Sequence, residues 1–368
     1  MAVTRVVFCW TEASGYMAAC WQALVARPGV DVHVVHLRRL RRDSNQFLSN
    51  PDLLAGVSNE VLEPAEPDVE AALLRMIQKR QPDVVVLCGW LYKPYLRLLT
   101  SPALRNVRMV VGMDSPWRGT WLQRAARFRL FGLVKRADAV VTAGERSSEY
   151  ARRLGVPANR IRTGFYGFDY EQFRAVARAR PSSPGEWPRQ FLFVGRYVPQ
   201  KDLRTLIEAY SSYRRSVAHP WGLTCCGSGI DGELLKGVPG VVDAGFAQPK
   251  DLPSVFGRHG AFVLASHFEP WGVVIAEASA SGLPVICTTA CGAGLDLVRP
   301  YFNGLLVTPE DPPALARAMR WIHDHESEVP LMGQRGVGLA EPYSAEAWAA
   351  RWHNYFLELV KEPRLSGA

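Results

Sequence analysis

Short apolar runs rich in Val, Ile and Leu alternate along this chain with longer stretches in which apolar residues recur at helical spacing. The first half carries such runs at Val3–Trp10, Val30–Leu37, Val84–Cys88, Met109–Gly112 and Ala139–Ala143. The second half carries Gln190–Val194, Leu223–Cys226, Val241–Ala244, Ala261–Ala265, Val285–Thr288 and Gly304–Val307. Between them, Tyr16–Val25, Val69–Lys79, Leu203–Tyr213 and Pro313–His323 read as helices. Brief apolar strands alternating with helices predict parallel sheets covered on both faces. The last segment, Ala345–Lys361, places Trp348, Trp352, Tyr355, Phe356 and Leu359 at helical spacing, a stripe that needs a partner surface.

The alternation is interrupted once. Residues 179–188 are rich in Pro, Ser and Gly and lack periodicity, which reads as a linker. The fold expected is α/β, with two Rossmann-like domains facing a central cleft. They span 1–180 and 190–344, joined through 181–189, with a C-terminal helix over 345–361. A chain of 368 residues is long enough for two such cores.

Charge supports the same division. Residues 1–180 hold 27 Lys and Arg against 16 Asp and Glu, whereas residues 181–368 hold 16 against 19. The basic half suggests an anionic acceptor, an anionic membrane surface or nucleic acid. No run approaches the roughly 18 apolar residues of a membrane span. The start lacks the layout of a signal peptide, so a cytoplasmic location is expected, with peripheral membrane contact open. The seven cysteines show no C-x-x-C spacing and mostly sit in apolar runs, as reduced core thiols do.

Chemistry concentrates in the second half. Ser266-His-Phe-Glu-Pro-Trp-Gly-Val-Val-Ile-Ala-Glu-Ala278 follows an apolar run. It therefore lies at the carboxyl end of a parallel strand, where open α/β sheets bind ligands. A helix starting near Trp271 or Gly272 would aim free N–H groups at an anion. Glu277, a turn and a half further on, suits the hydroxyls of a ribose or hexose. Arg196 and Lys201 follow the strand that ends at Gly195. Two such cations can neutralise a pyrophosphate leaving group without a metal. Asp202 reads as the cap of the next helix.

This set resembles glycosyltransferase family 4, the group 1 glycosyltransferases. The resemblance is carried by Phe193-Val-Gly-Arg196 with Lys201, Cys226-Gly-Ser-Gly-Ile230, Val242-Asp-Ala-Gly-Phe246, Glu269–Glu277, Gly282-Leu-Pro-Val-Ile286 and Asn303-Gly-Leu-Leu-Val307, all in family order. In the first half, Tyr166-Gly-Phe-Asp169 with Phe173 is similar to the family's N-G-V-D-x-x-x-F turn. The resemblance implies a GT-B fold and retaining transfer from a nucleotide-diphosphate sugar with no divalent ion, in keeping with the lack of a D-x-D triplet. It implies that Arg196 and Lys201 hold the diphosphate, Glu277 the ribose and Glu269 the sugar, helped by the amides of Trp271, Gly272 and Val273. Gly195 belongs to the same strand end, and Gly227, Gly229 and Phe246 would line the nucleobase pocket.

The first half departs from the family. One glycine, Gly15, stands where a pair is usual, and Met113 replaces the histidine before Asp114. Gly15 is expected near the phosphates, and Asp114 at the sugar or incoming hydroxyl, or else as a helix cap. Trp90, Tyr92, Tyr95, Trp117 and Trp121 are candidate sugar-stacking rings. Basic and aromatic residues interleave from Trp117 to Lys135, and Arg38, Arg39, Arg41 and Arg42 form a second basic cluster. The expected partners are a nucleotide sugar and a glycan or lipid-linked acceptor. No cofactor, metal or nucleic-acid partner is expected. A nucleotide-sugar epimerase on the same fold, or a non-catalytic sugar-nucleotide or nucleic-acid binder, is the alternative; Arg196, Lys201 and both glutamates favour the transferase.

Overall fold

The computed structural model describes residues 3–37, 53–63, 68–89, 92–134 and 136–362. It divides into two compact units, one of residues 1–168 with 345–368 and the other of residues 169–344.

The first unit is built on a seven-stranded sheet, β1 (Thr4–Trp10), β2 (Val30–Leu37), β3 (Ser58–Leu62), β4 (Val84–Leu87), β5 (Arg108–Met113), β6 (Ala139–Thr142) and β7 (Ile161–Thr163). All are parallel, in the order β3-β2-β1-β4-β5-β6-β7. The central strands are buried on both faces, as their continuous apolar runs require. β3 and β7 have no such run, because each is an edge strand with a half-exposed, polar sequence. The helices α1 (Gly15–Val25), α2 (Val69–Lys79), α3 (Lys93–Leu98), α4 (Trp121–Val134) and α5 (Glu145–Arg153) connect the strands.

The second unit opens with α6 (Tyr170–Arg178). Its sheet is β8 (Gln190–Val194), β9 (Gly222–Cys226), β10 (Val241–Gly245), β11 (Ala261–Leu264), β12 (Val285–Thr288) and β13 (Gly304–Val307). These strands are again parallel, in the order β10-β9-β8-β11-β12-β13. Its other helices are α7 (Leu203–Ser216), α8 (Leu252–Gly257), α9 (Val273–Ala280), α10 (Gly292–Leu297), α11 (Pro312–Asp324) and α12 (Val329–Ala340).

The chain returns to the first unit as α13 (Ala345–Leu359). Its stripe closes over Phe8 of β1, whose ring lies 6.2 Å from Trp348, 5.7 Å from Trp352 and 6.1 Å from Phe356.

The boundary differs from the linker expected over 181–189, which lies inside the second unit. Arg180 explains the difference: its guanidinium donates to the carbonyls of Ser281 (2.5 Å), His259 (2.9 Å) and Phe256 (2.8 Å). The Trp187 indole then donates to Gly260 O at 2.9 Å. A segment that reads as flexible by composition is thus fixed by polar anchors, and α6 belongs with the domain it precedes.

Helix α12 packs on α9 through backbone approach. A Cβ at Gly333 would lie 2.0 Å from the Gly282 carbonyl oxygen, whereas one at Gly338 on the same helix meets nothing within 4 Å. Gly333→Ala should therefore destabilise the protein by about 1–3 kcal/mol. Gly338→Ala should stabilise it by about 0.5–1 kcal/mol through reduced chain entropy. Urea melts of the two variants check the contrast; equal effects would mean that the α9–α12 approach is not tight.

Candidate active site

Strand order in the second unit reverses between β8 and β11, so the loops that leave their carboxyl ends diverge and leave a crevice. Lys201 comes from the first loop and Glu269 from the second. The Lys201 ammonium and the Glu269 carboxylate form an ion pair, each side chain 13% exposed. A main-chain bond from His267 N to Gln200 O, 3.1 Å, ties the loops together. Asp202 fixes the other side of Lys201: it adopts left-handed backbone (φ 52°) and accepts from Thr205 N at 3.1 Å, capping α7.

Gly272 caps α9 at φ 95°, and a Cβ there would lie 2.9 Å from Glu269 Cγ. Glycine is thus required both by conformation and by the close passage of the Glu269 side chain. Val273 opens the helix; the N–H groups of Val273 and Val274 have no acceptor a turn earlier in it, whereas Ile275 N donates to Gly272 O at 3.0 Å. Trp271 itself is sealed: its indole donates to Asp296 Oδ2 at 3.0 Å and its ring lies 5.1 Å from Tyr343. Only its main chain is available to a ligand.

Glu277 lies on the fifth residue of α9, and no hydrogen bond or ion pair to its carboxyl occurs among the described residues. Burial without a partner pushes its pKa up to about 7. An unpaired acid near neutrality is characteristic of functional sites. Arg196 is exposed and pairs with no carboxylate among the described residues.

Three loops at the ends of β8, β9 and β10 are zipped together beside these residues. Gly195 N donates to Cys226 O (3.0 Å), Gly227 N to Gly245 O (2.8 Å) and Tyr197 N to Ser228 O (2.7 Å). Side chains cannot fit between them: a Cβ at Gly227 would lie 1.9 Å from Gly195 O, and one at Gly229 2.2 Å from Tyr197 O. Phe246 follows directly, half-buried.

Sequence reasoning missed several supports. Tyr197 is buried and donates to Asp243 Oδ1 at 2.8 Å, holding the zipped loops. Gly292 N and Ala293 N donate to the carbonyls of Glu269 (3.2 Å) and Trp271 (2.7 Å), cradling the Glu269 loop. The paired glycines of Cys291-Gly-Ala-Gly294 were a visible signal: a Cβ at Gly292 would meet Pro270 O at 2.4 Å.

In the first unit, Gly15 is the first residue of α1, at the carboxyl end of β1. Asp114 follows β5 and accepts a hydrogen bond from the Tyr166 hydroxyl at 2.9 Å. It caps no helix, since the next one starts at Trp121. Met113 is buried among the core residues below. The aromatic candidates separate. Tyr95 is a core residue donating to Trp10 O at 2.8 Å, and Tyr92 packs edge-on to it at 4.9 Å. Trp117 is covered by Arg153, 4.7 Å from its ring, whereas Trp121 is 74% exposed. Trp90, Lys135 and the arginines at 38, 39, 41 and 42 lie outside the described residues. The seven cysteines are free, and all but the half-buried Cys88 are buried.

The comparisons with known proteins agree with this architecture. A family model described as glycosyl transferases group 1 matches residues 179–336, and one described as a glycosyl transferase 4-like domain matches residues 6–164. The chain is similar to a glycogen synthase of Mycobacterium tuberculosis, 27% identical over 258 residues, covering 66% of this chain and 61% of that protein. A GDP-mannose-dependent alpha-mannosyltransferase of the same organism is 30% identical over 248 residues, covering 64% of this chain and 62% of that one. The matches thus span about three fifths of these relatives. The solved structure of HepE from Anabaena in complex with UDP superposes with a TM-score of 0.75 at 16% identity, covering 96% of this chain and 100% of that one.

Two parallel-sheet units with these neighbours define a GT-B fold. The chain belongs to the group 1 glycosyltransferases of family 4.

The pKa of Glu277 gives a test of its surroundings. Its folded value of about 7 lies above the ordinary 4.5, so the folded protein holds this proton more tightly than the unfolded chain does. Its contribution to stability is intact below pH 4.5 and is lost as pH rises towards 7. Glu277→Gln should therefore stabilise the fold by up to about 3 kcal/mol at pH 8 and leave it unchanged at pH 4. Melting curves at the two pH values check this; equal stability at pH 8 would mean that the carboxyl is solvated.

Proposed function

We propose that this chain is a retaining glycosyltransferase that moves a hexose from a UDP- or GDP-linked donor to a hydroxyl of a glycan or glycolipid, in the building of cell-envelope or storage polysaccharide. The observation that carries the reading is the meeting of Lys201 and Glu269 at the switch point, just ahead of the helix α9 whose fifth residue is the unpaired Glu277. The names of the relatives, and the UDP named with HepE, support a nucleoside-diphosphate donor.

Lys201 and Arg196 take the diphosphate. As the bond from the sugar's anomeric carbon to the β-phosphate oxygen breaks, the charge left on that oxygen falls to these cations. Lys201 is engaged by Glu269 before donor arrives, so the diphosphate replaces one anion with another rather than meeting a bare cation. Glu269 is then released towards the transferred sugar. The α9 amides at Gly272 and Val273 add a fixed positive field. Glu277, ionised, accepts from the ribose hydroxyls. Gly195, Gly227, Gly229 and Phe246 shape the base pocket. Asp114 accepts from the acceptor hydroxyl. With two cations on the leaving group, no divalent ion is required. An epimerase would return an altered sugar on intact nucleotide; a transferase releases free sugar slowly to water.

A panel of nucleotide sugars screened by thermal shift identifies the donor, since a ligand that binds only the native state raises its melting point. With that donor, Lys201→Ala should lower transfer by about a hundredfold to thousandfold. The wild-type rate should survive EDTA. Near-normal turnover in the variant would overturn the site, and loss in EDTA restored by magnesium would overturn the leaving-group chemistry.

We infer that the first unit meets an anionic membrane. α4 leaves Trp121 (74%), Leu122 (61%) and Phe128 (86%) exposed beside exposed Arg118, Arg124 and Arg127. Apolar and basic residues on one helix suit a bilayer interface, with each basic residue adding about 1 kcal/mol. No helix among the described residues is long and apolar enough to cross a membrane. In co-sedimentation, vesicles containing phosphatidylglycerol should bind the protein, and Arg124→Glu with Arg127→Glu should abolish this. Equal binding to neutral vesicles would reduce the helix to ordinary surface.

A further inference from the structure

The carboxyl end of the first unit's sheet holds a side-chain arrangement that the donor chemistry does not use. Tyr166 donates its hydroxyl to Asp114 at 2.9 Å, and Tyr16 meets the Tyr166 ring edge-on at 5.7 Å. Burial and the Asp114 charge raise the Tyr166 phenol well above its ordinary range, so it remains a proton donor throughout the working pH range.

The segment that carries Tyr166 is held with unusual density. Three carbonyls on it accept from α13: Gly164 O from the Trp352 indole (3.0 Å), Phe165 O from the Trp348 indole (3.0 Å) and Phe168 O from Ala345 N (2.8 Å). Its side chains are equally fixed. The Phe165 ring lies directly on Gly112, where a Cβ would be 2.0 Å away, and packs 4.7 Å from the Tyr166 ring. A Cβ at Gly167 would strike Cys20 Sγ at 2.8 Å and Trp348 Cβ at 2.9 Å. Gly112 is two residues before Asp114 in the same strand and exit, so one ring, Phe165, registers the phenol against the strand that presents the carboxylate.

From this geometry we infer that Tyr166 is the positioning residue of the acceptor site, holding the Asp114 carboxylate in the orientation that receives the acceptor sugar's attacking hydroxyl. α13 serves as the clamp that keeps the phenol in place. The inference rests on Asp114 being the acceptor-side acid. It adds a residue outside the donor machinery, and it gives the two buried tryptophan indoles of α13 a role beyond covering the sheet. A phenol-bound carboxylate loses rotational freedom before substrate arrives, which is what orientation contributes to rate.

Tyr166→Phe removes only the hydroxyl and keeps the ring contacts. The test uses the nucleotide sugar selected by the thermal-shift panel. Acceptors are the p-nitrophenyl glycosides of glucose, galactose and mannose, with water as the acceptor where none is taken. Turnover in Tyr166→Phe should fall about tenfold or more, the scale of one lost orienting hydrogen bond. The melting point and the Kd for the nucleotide sugar should stay at wild-type values. A variant with wild-type turnover overturns the inference. So does one whose melting point and donor Kd change along with turnover, since that marks a purely structural hydroxyl. Asp114→Asn separates the two levels. If it is fully active, the assignment of Asp114 fails; if it is inactive while Tyr166→Phe is normal, only the role of Tyr166 fails.

Discussion

A parallel sheet whose strand order reverses at its centre cannot cover the carboxyl ends of the two strands that flank the reversal, because their connections leave in opposite directions. In the second unit those strands are β8 and β11, and the loops at their ends bring together an ion pair, Lys201 and Glu269. Much of the local structure serves this pair. Asp202 takes a left-handed conformation to start α7 immediately behind Lys201, and Gly272 does the same to start α9 immediately behind Glu269. The Gly292–Ala293 amides hold the Glu269 loop from the side of β12.

The same constraint accounts for where stability is forgone. Glu277 carries a carboxyl with no partner in a site that raises its pKa to about 7, a conflict that packing alone would remove. Glycines at 227 and 229 give up chain entropy so that three loops can close on one another around Tyr197. In the first unit the corresponding investment is structural: α13 spends two tryptophan indoles on the carbonyls around Tyr166.

Much of this was legible in the sequence for a physical reason. Central parallel strands are buried on both faces, so β4, β11 and β12 declare themselves as unbroken apolar runs, and the helices between them by their spacing. The edge strands β3 and β7 were not legible, because half-exposed Ser58–Leu62 and Ile161–Thr163 carry no apolar run. The domain boundary was misplaced since composition marks 181–189 as a linker, while Arg180 and Trp187 anchor it through long-range bonds to carbonyls. The candidate site residues Lys201, Glu269 and Asp114 stood out by type and spacing, but their pairing did not: that Lys201 reaches Glu269, or Tyr166 reaches Asp114, depends on loops meeting in space. Asp114 also had a second reading as a helix cap, which the start of the next helix only at Trp121 removes.

The central claim is that the switch point of the second unit is a nucleotide-sugar site built on Lys201, Glu269 and Glu277. A crystal structure with a non-hydrolysable nucleotide sugar bound tests it most directly. The account predicts that the Lys201 ammonium leaves Glu269 for a diphosphate oxygen and that the Glu277 carboxylate receives both ribose hydroxyls. A nucleotide sugar bound elsewhere, or bound there with the Lys201–Glu269 pair intact and Glu277 without contact to ribose, would contradict it.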